Sequence, residues 1–509
     1  MCVPVSSRSL IRTVRRAIID RRFVPIAVLV RIETFNTAVP RVDDAARAER
    51  GDVTNTITMN GNATGYGASS GSESFVLYGY QNTVLLAGAN DSITLAGGGL
   101  DVLNLNATGF TGATTDTINL GAGIFDRIMA TAALQDSSVS VTGGAGETTL
   151  TLANHGGTTV LDLGNQGDVV NAAGLGANDS ITLNGDATNA VSFTSGDGAD
   201  VAIGTAGDGF TDYNSSVALF GLYNLVTGGD ENFAVTDASG SNVVTLGNGS
   251  NTVTLGGSQN SVSYGAGDNS VAFSGFSNAL SAGAGNNNVT SAAGGLTARF
   301  AAGGAGQNDT LSLAEYQNSV HGGDENFTIT NAHGGAFVDV GNGNNTISLT
   351  SGNITLGRST ANTGTNRITT AGGGSKLKLN GGTDQVNLLD AHKGFDQVVL
   401  SGTQLGTALT AHGSFDSITL TADANAAITE TAVNGGLSLT LDGDTTGGIG
   451  DVSVFGLAQD DLAHINLVGL GAYSVTVDNT ALGGLTLHFA HGSLNLIGEQ
   501  SISSHLITG

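Results

Sequence analysis

Proline is missing from Gly51 to the last residue of this 509-residue chain; all three prolines, Pro4, Pro25 and Pro40, lie before it. A proline deletes a donor from a continuous sheet, so its absence suits a long, unbroken β structure. Cys2 is the single cysteine. That excludes an internal disulfide and leaves backbone ladders, packing or metal to hold the fold. Tryptophan is absent, and charged residues make up only 12% of the chain. No apolar run reaches the roughly 20 residues that a spanning helix needs. The nearest is "FVPIAVLV" (Phe23–Val30), eight residues between Arg22 and Arg31.

Positive charge is scarce and unevenly placed. Residues 1–50 hold ten of the 17 Lys+Arg and five of the 43 Asp+Glu, a balance of +5. The remainder carries seven against 38, or −31. Such a body repels nucleic acid and anionic lipid and attracts divalent cations. With Arg21-Arg22 ahead of its short apolar run, the basic segment has the outline of a degraded twin-arginine export signal. Residues 1–50 read as a poorly ordered leader or an over-extended start.

What is abundant is glycine, 79 residues of it, beside 39% hydrophobic residues. Glycine at that density without proline excludes collagen and predicts turns at short, regular intervals. The apolar content is too high for a disordered linker. Helical periodicity is missing. Instead a short unit recurs, Asp or Asn followed by x-U-x-L with U aliphatic: "DSITL" at Asp91, "DVLNL" at Asp101, "NTVTL" at Asn251, "DQVNL" at Asp384 and "DSITL" at Asp416. Alternation turns U and Leu inward and Ser or Thr outward. Between Val244 and Val289 the apolar position returns every nine residues, at Val253, Val262, Val271 and Leu280. A longer repeat lies over the short one: "GGDENFAVTDASGSNVVTLGNGSNTVTL" at Gly228 returns as "GGDENFTITNAHGGAFVDVGNGNNTISL" at Gly322, 94 residues on. The prediction is all-β: a right-handed parallel β-roll or β-solenoid of glycine-rich nonapeptide-like repeats over 51–450, with a C-terminal β cap over 451–509.

The nine-residue register resembles the repeats-in-toxin (hemolysin-type) calcium-binding β-roll, whose unit is G-G-x-G-x-D-x-U-x. "SGDGADVAI" matches with Gly196, Asp197, Gly198 and Asp200, and "AGGGLDVLN" with Gly97, Gly98, Gly99 and Asp101. "YGAGDNSVA" offers Asp268 beside Asn269, and "GGAGQNDTL" offers Asp309 with one residue inserted. The resemblance implies Ca2+ held between turn carbonyls and these aspartates, in units stacked 18 residues apart. Calcium takes six to eight oxygens, so carboxylate charge sets affinity. "VFGLAQDDLAHINLVGLG" (Val454–Gly471) and "GGLTLHFAHGSLNLIGEQSISSHLI" (Gly483–Ile507) look like that family's terminal cassette. The cassette implies export by type I secretion machinery and an extracellular or cell-surface location.

The asparagines depart from that pattern. Two residues before each apolar position stand Asn251, Asn260, Asn269, Asn278 and Asn287. At 18-residue spacing Asn251, Asn269 and Asn287 stack, as do Asn260 and Asn278. Stacked amides donate and accept along the axis, which stacked carboxylates cannot do without a cation. This run therefore reads as an uncharged ladder. Five of the nine histidines (His155, His321, His333, His412 and His491) precede glycine and read as turn residues, because zinc needs three or four converging ligands. No H-E-x-x-H or P-loop occurs, and the expectation is a protein without catalytic activity. Outward Thr and Ser, as at Thr252 and Thr254, leave open a calcium-independent solenoid that binds glycan or ice.

Overall fold

The computed structural model describes 46 strands between Arg31 and Thr508. Residues 221–301, 306–357 and 364–389 are described without a break, and elsewhere mainly the strands themselves. Among the described residues there is no helix.

Through most of the chain a strand pairs in parallel with the next but one, so two sheets are wound from one path. In the first, sheet A, Val244 lies beside Val262 and Val262 beside Leu280. In the second, sheet B, Val253 lies beside Val271 and Val271 beside Val289. The period of nine is thus one strand plus one turn, and a coil is two such units. Strands are short because glycine-rich turns interrupt them: Val243–Leu246, Thr252–Leu255 and Ser261–Tyr264 have four residues each, with outward and buried positions alternating. The inward positions form one continuous core; Val244, Val253 and Val289 are fully buried, and Val262, Val271 and Leu280 are 1% exposed. Each such side chain contributes about 1.5–3 kcal/mol of burial.

Coil length is not constant. It is 18 residues through the Asn-rich run, 22 between Asn287 and Asp309, and 21 between Asn345 and Asn366. The extra residues lie between strands, so the strands keep their register. In the turns that lead from sheet A to sheet B, backbones of successive coils nearly touch. A Cβ on Gly267 would stand 2.4 Å from the Gly249 carbonyl oxygen, and one on Gly285 2.0 Å from that of Gly267. Both glycines also have φ near +140°, a region that favours glycine.

The duplicated block is five coils long: the register steps from Phe233 through Asn251, Asn269, Asn287 and Asp309 to Phe327. Phe233 and Phe327 are buried equivalents, each against the glycine, Gly228 or Gly322, that leaves room for its ring. Parallel pairing begins at Arg31–Phe35 and Asp44–Arg47, which lie beside Asn55–Met59 and Ala63–Tyr66. The C-terminal end changes direction. Ser474–Asp478 and Gly484–His488 pair antiparallel, as do Gly484–His488 and Ser493–Ile497, and the last continues sheet B beside Val452–Phe455. The antiparallel strands thus extend sheet B beyond its last parallel pair, while Ile507–Thr508 continues sheet A beside Leu462–Val468.

Candidate functional site

The first residue of each Asx-x-U-x-L unit sits at the mouth of a strand, two residues before a buried aliphatic. Successive coils bring these residues into an axial row on each sheet. On sheet B, Asn251 donates its backbone N–H and its Nδ2–H to Asn269 Oδ1, both at 2.9 Å. Asn269 Nδ2 donates to Asn287 Oδ1 at 3.2 Å. The second Nδ2 hydrogen turns to the residue's own loop, reaching Gly249 O at 2.8 Å from Asn251 and Gly267 O at 2.7 Å from Asn269. On sheet A, Asn260 donates in the same way to Asn278 Oδ1, and the row extends upstream through Asn242 and Asn224. These asparagines are at most 2% exposed. The amides of Asn251, Asn260 and Asn269 therefore do two jobs that a buried position requires: they bond the next coil and they satisfy a turn carbonyl.

Within these buried rows the axial bonds point the same way, donor upstream and acceptor downstream. The last member of a row must accept but has no partner to receive its own donors. On sheet B both rows end in aspartate. Asn287 donates to Asp309 through its backbone N–H at 2.9 Å and Nδ2 at 2.8 Å. The next position is Phe327, which offers no side-chain acceptor; its backbone N–H starts a new row on Asn345 Oδ1 at 3.0 Å. That row runs through Asn366 to Asp384, which accepts from Asn366 Nδ2 at 2.7 Å. Burial pushes both carboxyls up to about 6, against the lowering effect of the asparagine bonds; nearby Glu325 adds to the rise at Asp309. Burial first, and then Asp309, also raise the buried Tyr264 phenol.

Two of the residues proposed as metal ligands lie in described structure with their side chains, and both are hydrogen-bond acceptors. Asp309 ends the sheet B row. Asp268 is exposed, and its Oδ1 accepts from Asn286 N at 2.9 Å and Asn286 Nδ2 at 3.0 Å. In this section the carbonyls of Gly249 and Gly267, turn oxygens of the kind calcium uses, each accept a hydrogen bond from an asparagine amide. Gly97, Gly99, Gly196, Asp197 and Gly198 lie outside the described residues, and Asp101 and Asp200 are described by backbone alone. Asp200 pairs with Ser180 and Leu225, one residue past the axial row that Asn224 occupies. Asp101 stands in the sheet B row itself, and its partner in the next coil is Asp126. Sequence reading missed that second aspartate because it lies 25 residues on, inside "FDRIM", which has no glycine pattern.

Among the described residues no three His, Cys, Asp or Glu side chains converge as metal ligands. His321 reaches Ser319 Oγ at 3.0 Å and Asp339 Oδ2 at 3.7 Å, and His333 Nδ1 lies 2.7 Å from Ala314 O. No protein-family model matches this chain, and no curated protein or solved structure matches it either.

Proposed function

We propose that this protein is a secreted, non-catalytic structural or adhesive rod of the repeats-in-toxin type, in which one section folds on calcium and another folds without it. The observation that carries the reading is the register partnership of Asp101 with Asp126. In the central section the same row is a chain of amides. Two ionised carboxylates in successive coils of such a row would repel each other, and a bound cation would relieve that repulsion. Calcium is the ion that the acidic body and the glycine-rich sequence of this section favour.

Coupled folding follows from charge. At low cytosolic calcium, carboxylate repulsion keeps the aspartate section extended and fit for type I export; outside the cell, calcium neutralises it and the coils stack on the amide section. The role is then extracellular, in a surface layer, matrix or contact with polysaccharide. Hydrogen exchange on the full chain tests this. Strands between Ser92 and Leu183 should gain protection when calcium replaces EDTA, while those between Val243 and Leu313 stay protected throughout. Equal protection of both sections in EDTA refutes the calcium reading and leaves a calcium-independent solenoid.

A further inference from the structure

The outer face of sheet A changes character along the rod. One outward row reads Ala279, Thr297, Ser319, Phe337, Asn353 and Lys376, each residue beside the next in register. Two residues further along each strand, Lys378 follows Thr355 and Asp339. Lys376 and Lys378 are exposed, and the Phe337 ring is 39% exposed. Only seven Lys+Arg occur after residue 50, so two on adjacent outward positions of one strand are a local reversal of the acidic field. Among the described residues neither lysine pairs with a carboxylate. The nearest acid on the same face, Asp339, is turned to His321 at 3.7 Å.

Two shallow grooves meet here. One, of about 300 Å³, is bordered by Gln317, Ser319, Phe337, Ser351 and Asn353. The other, of about 350 Å³, is bordered by Asn353, Thr355, Lys376, Lys378 and Gln397. Asn353 belongs to both. Phe337 and Lys376 are separated by two coils, roughly 10 Å, a distance that a short oligosaccharide spans.

We infer that this face binds an acidic polysaccharide, with a sugar ring lying on Phe337, carboxylates of uronate residues at Lys376 and Lys378, and hydroxyls bonded by Gln317, Ser319 and Asn353. An exposed ring beside neutral amides and hydroxyls matches the mixed apolar and hydroxylated surface of a sugar. The lysines supply charge-assisted bonds to carboxylate. At physiological salt the screening length is about 8 Å, so this face is governed by its own charges rather than by the acidic remainder. Nucleic acid is disfavoured, because its affinity grows with the number of phosphates neutralised and only two lysines are offered. The inference rests on the reading of the protein as an adhesive extracellular rod, and it names the ligand.

The test is calorimetric titration of the full chain with polygalacturonate in EDTA, since the site lies in the section built on amide ladders. Binding is expected, with roughly tenfold or greater weakening in Lys376→Gln/Lys378→Gln and in Phe337→Ser. All three positions are exposed, and unchanged circular dichroism checks that the variants fold. Dextran, a neutral glucan, and linear polyphosphate should bind weakly or not at all. Equal binding of either control, or unaltered affinity in the variants, overturns the inference. A chain that binds polygalacturonate yet ignores calcium removes the calcium reading alone; one that folds on calcium yet ignores the polymer removes this inference alone.

Discussion

Asn287 gives both its backbone N–H and its side-chain amide to one oxygen of Asp309, at 2.9 and 2.8 Å, across a coil of 22 residues. The aspartate is the stop of a one-way row: it accepts like the asparagines before it and has no donor to leave stranded against Phe327. Asp384 ends the following row in the same manner. An aspartate that follows the last asparagine accepts its bonds, whereas one inserted among the asparagines interrupts the run of side-chain amide bonds. This difference leads to the following expectations.

Asn269→Asp places a carboxylate in mid-row. It still accepts from Asn251, but it loses the bonds to Asn287 Oδ1 and Gly267 O and sets a charged oxygen against both. The expected cost is about 2–4 kcal/mol, read as a lower denaturation midpoint in EDTA. An unchanged midpoint would show that the amide row carries no net stability.

The two row ends make stability depend on pH. With carboxyls near 6 when folded against 3.8 for the ordinary group, the native state binds more protons between those values. Stability from these groups is therefore full below the lower value and lost as pH rises through the upper one, by about 3 kcal/mol each. Melting profiles between pH 4 and 7 should slope downward. Asp309→Asn with Asp384→Asn, which mimic the protonated acids, should flatten that slope.

Asp101→Asn together with Asp126→Asn converts an aspartate pair into a ladder step. The prediction is that strands around them become protected in EDTA without added calcium, as measured by hydrogen exchange. Continued dependence on calcium in this variant would move the ion-sensitive element elsewhere.

The duplicated block contains one natural comparison. In the first copy Asn242 Nδ2 donates to the buried Asp237. In the second copy the equivalents are Asn331 and Ala336, and both side-chain polar atoms of Asn331, 3% exposed, have no partner. Ala336→Asn restores the missing donor and offers Asn318, its neighbour in the row, an acceptor. A rise of about 1–2 kcal/mol is expected from chemical denaturation. A fall would mean that the turn Gly334–Gly335 cannot take the larger side chain.

The stacked asparagines and the buried aliphatic row were legible because both repeat at a fixed spacing: Asn251, Asn269 and Asn287 fall at 18-residue intervals, and only an axial row accounts for that. The place of Asp309 in that row was not legible. Its turn has extra residues, and from sequence the displaced aspartate resembles an imperfect calcium unit; only the register shows it receiving the bonds of Asn287. The register of Asp200 was hidden for the related reason that a glycine turn does not fix which following residue enters the strand first. The row joining Phe337, Asn353 and Lys376 was hidden altogether. Its coils have unequal lengths, 16 and 23 residues, so no period in the sequence links an aromatic to a lysine that stands beside it in space.

Phe233 and Phe327 occupy one row five coils apart, each backed by a glycine that admits its ring. They act as graduation marks on a ruler. A gene that lost residues 234–327 would join Phe233 directly to Thr328 with every strand still beside its proper neighbour, and one that gained a further copy would do the same. The length of this rod is therefore a quantity that recombination can change in whole notches while both ends stay as they are.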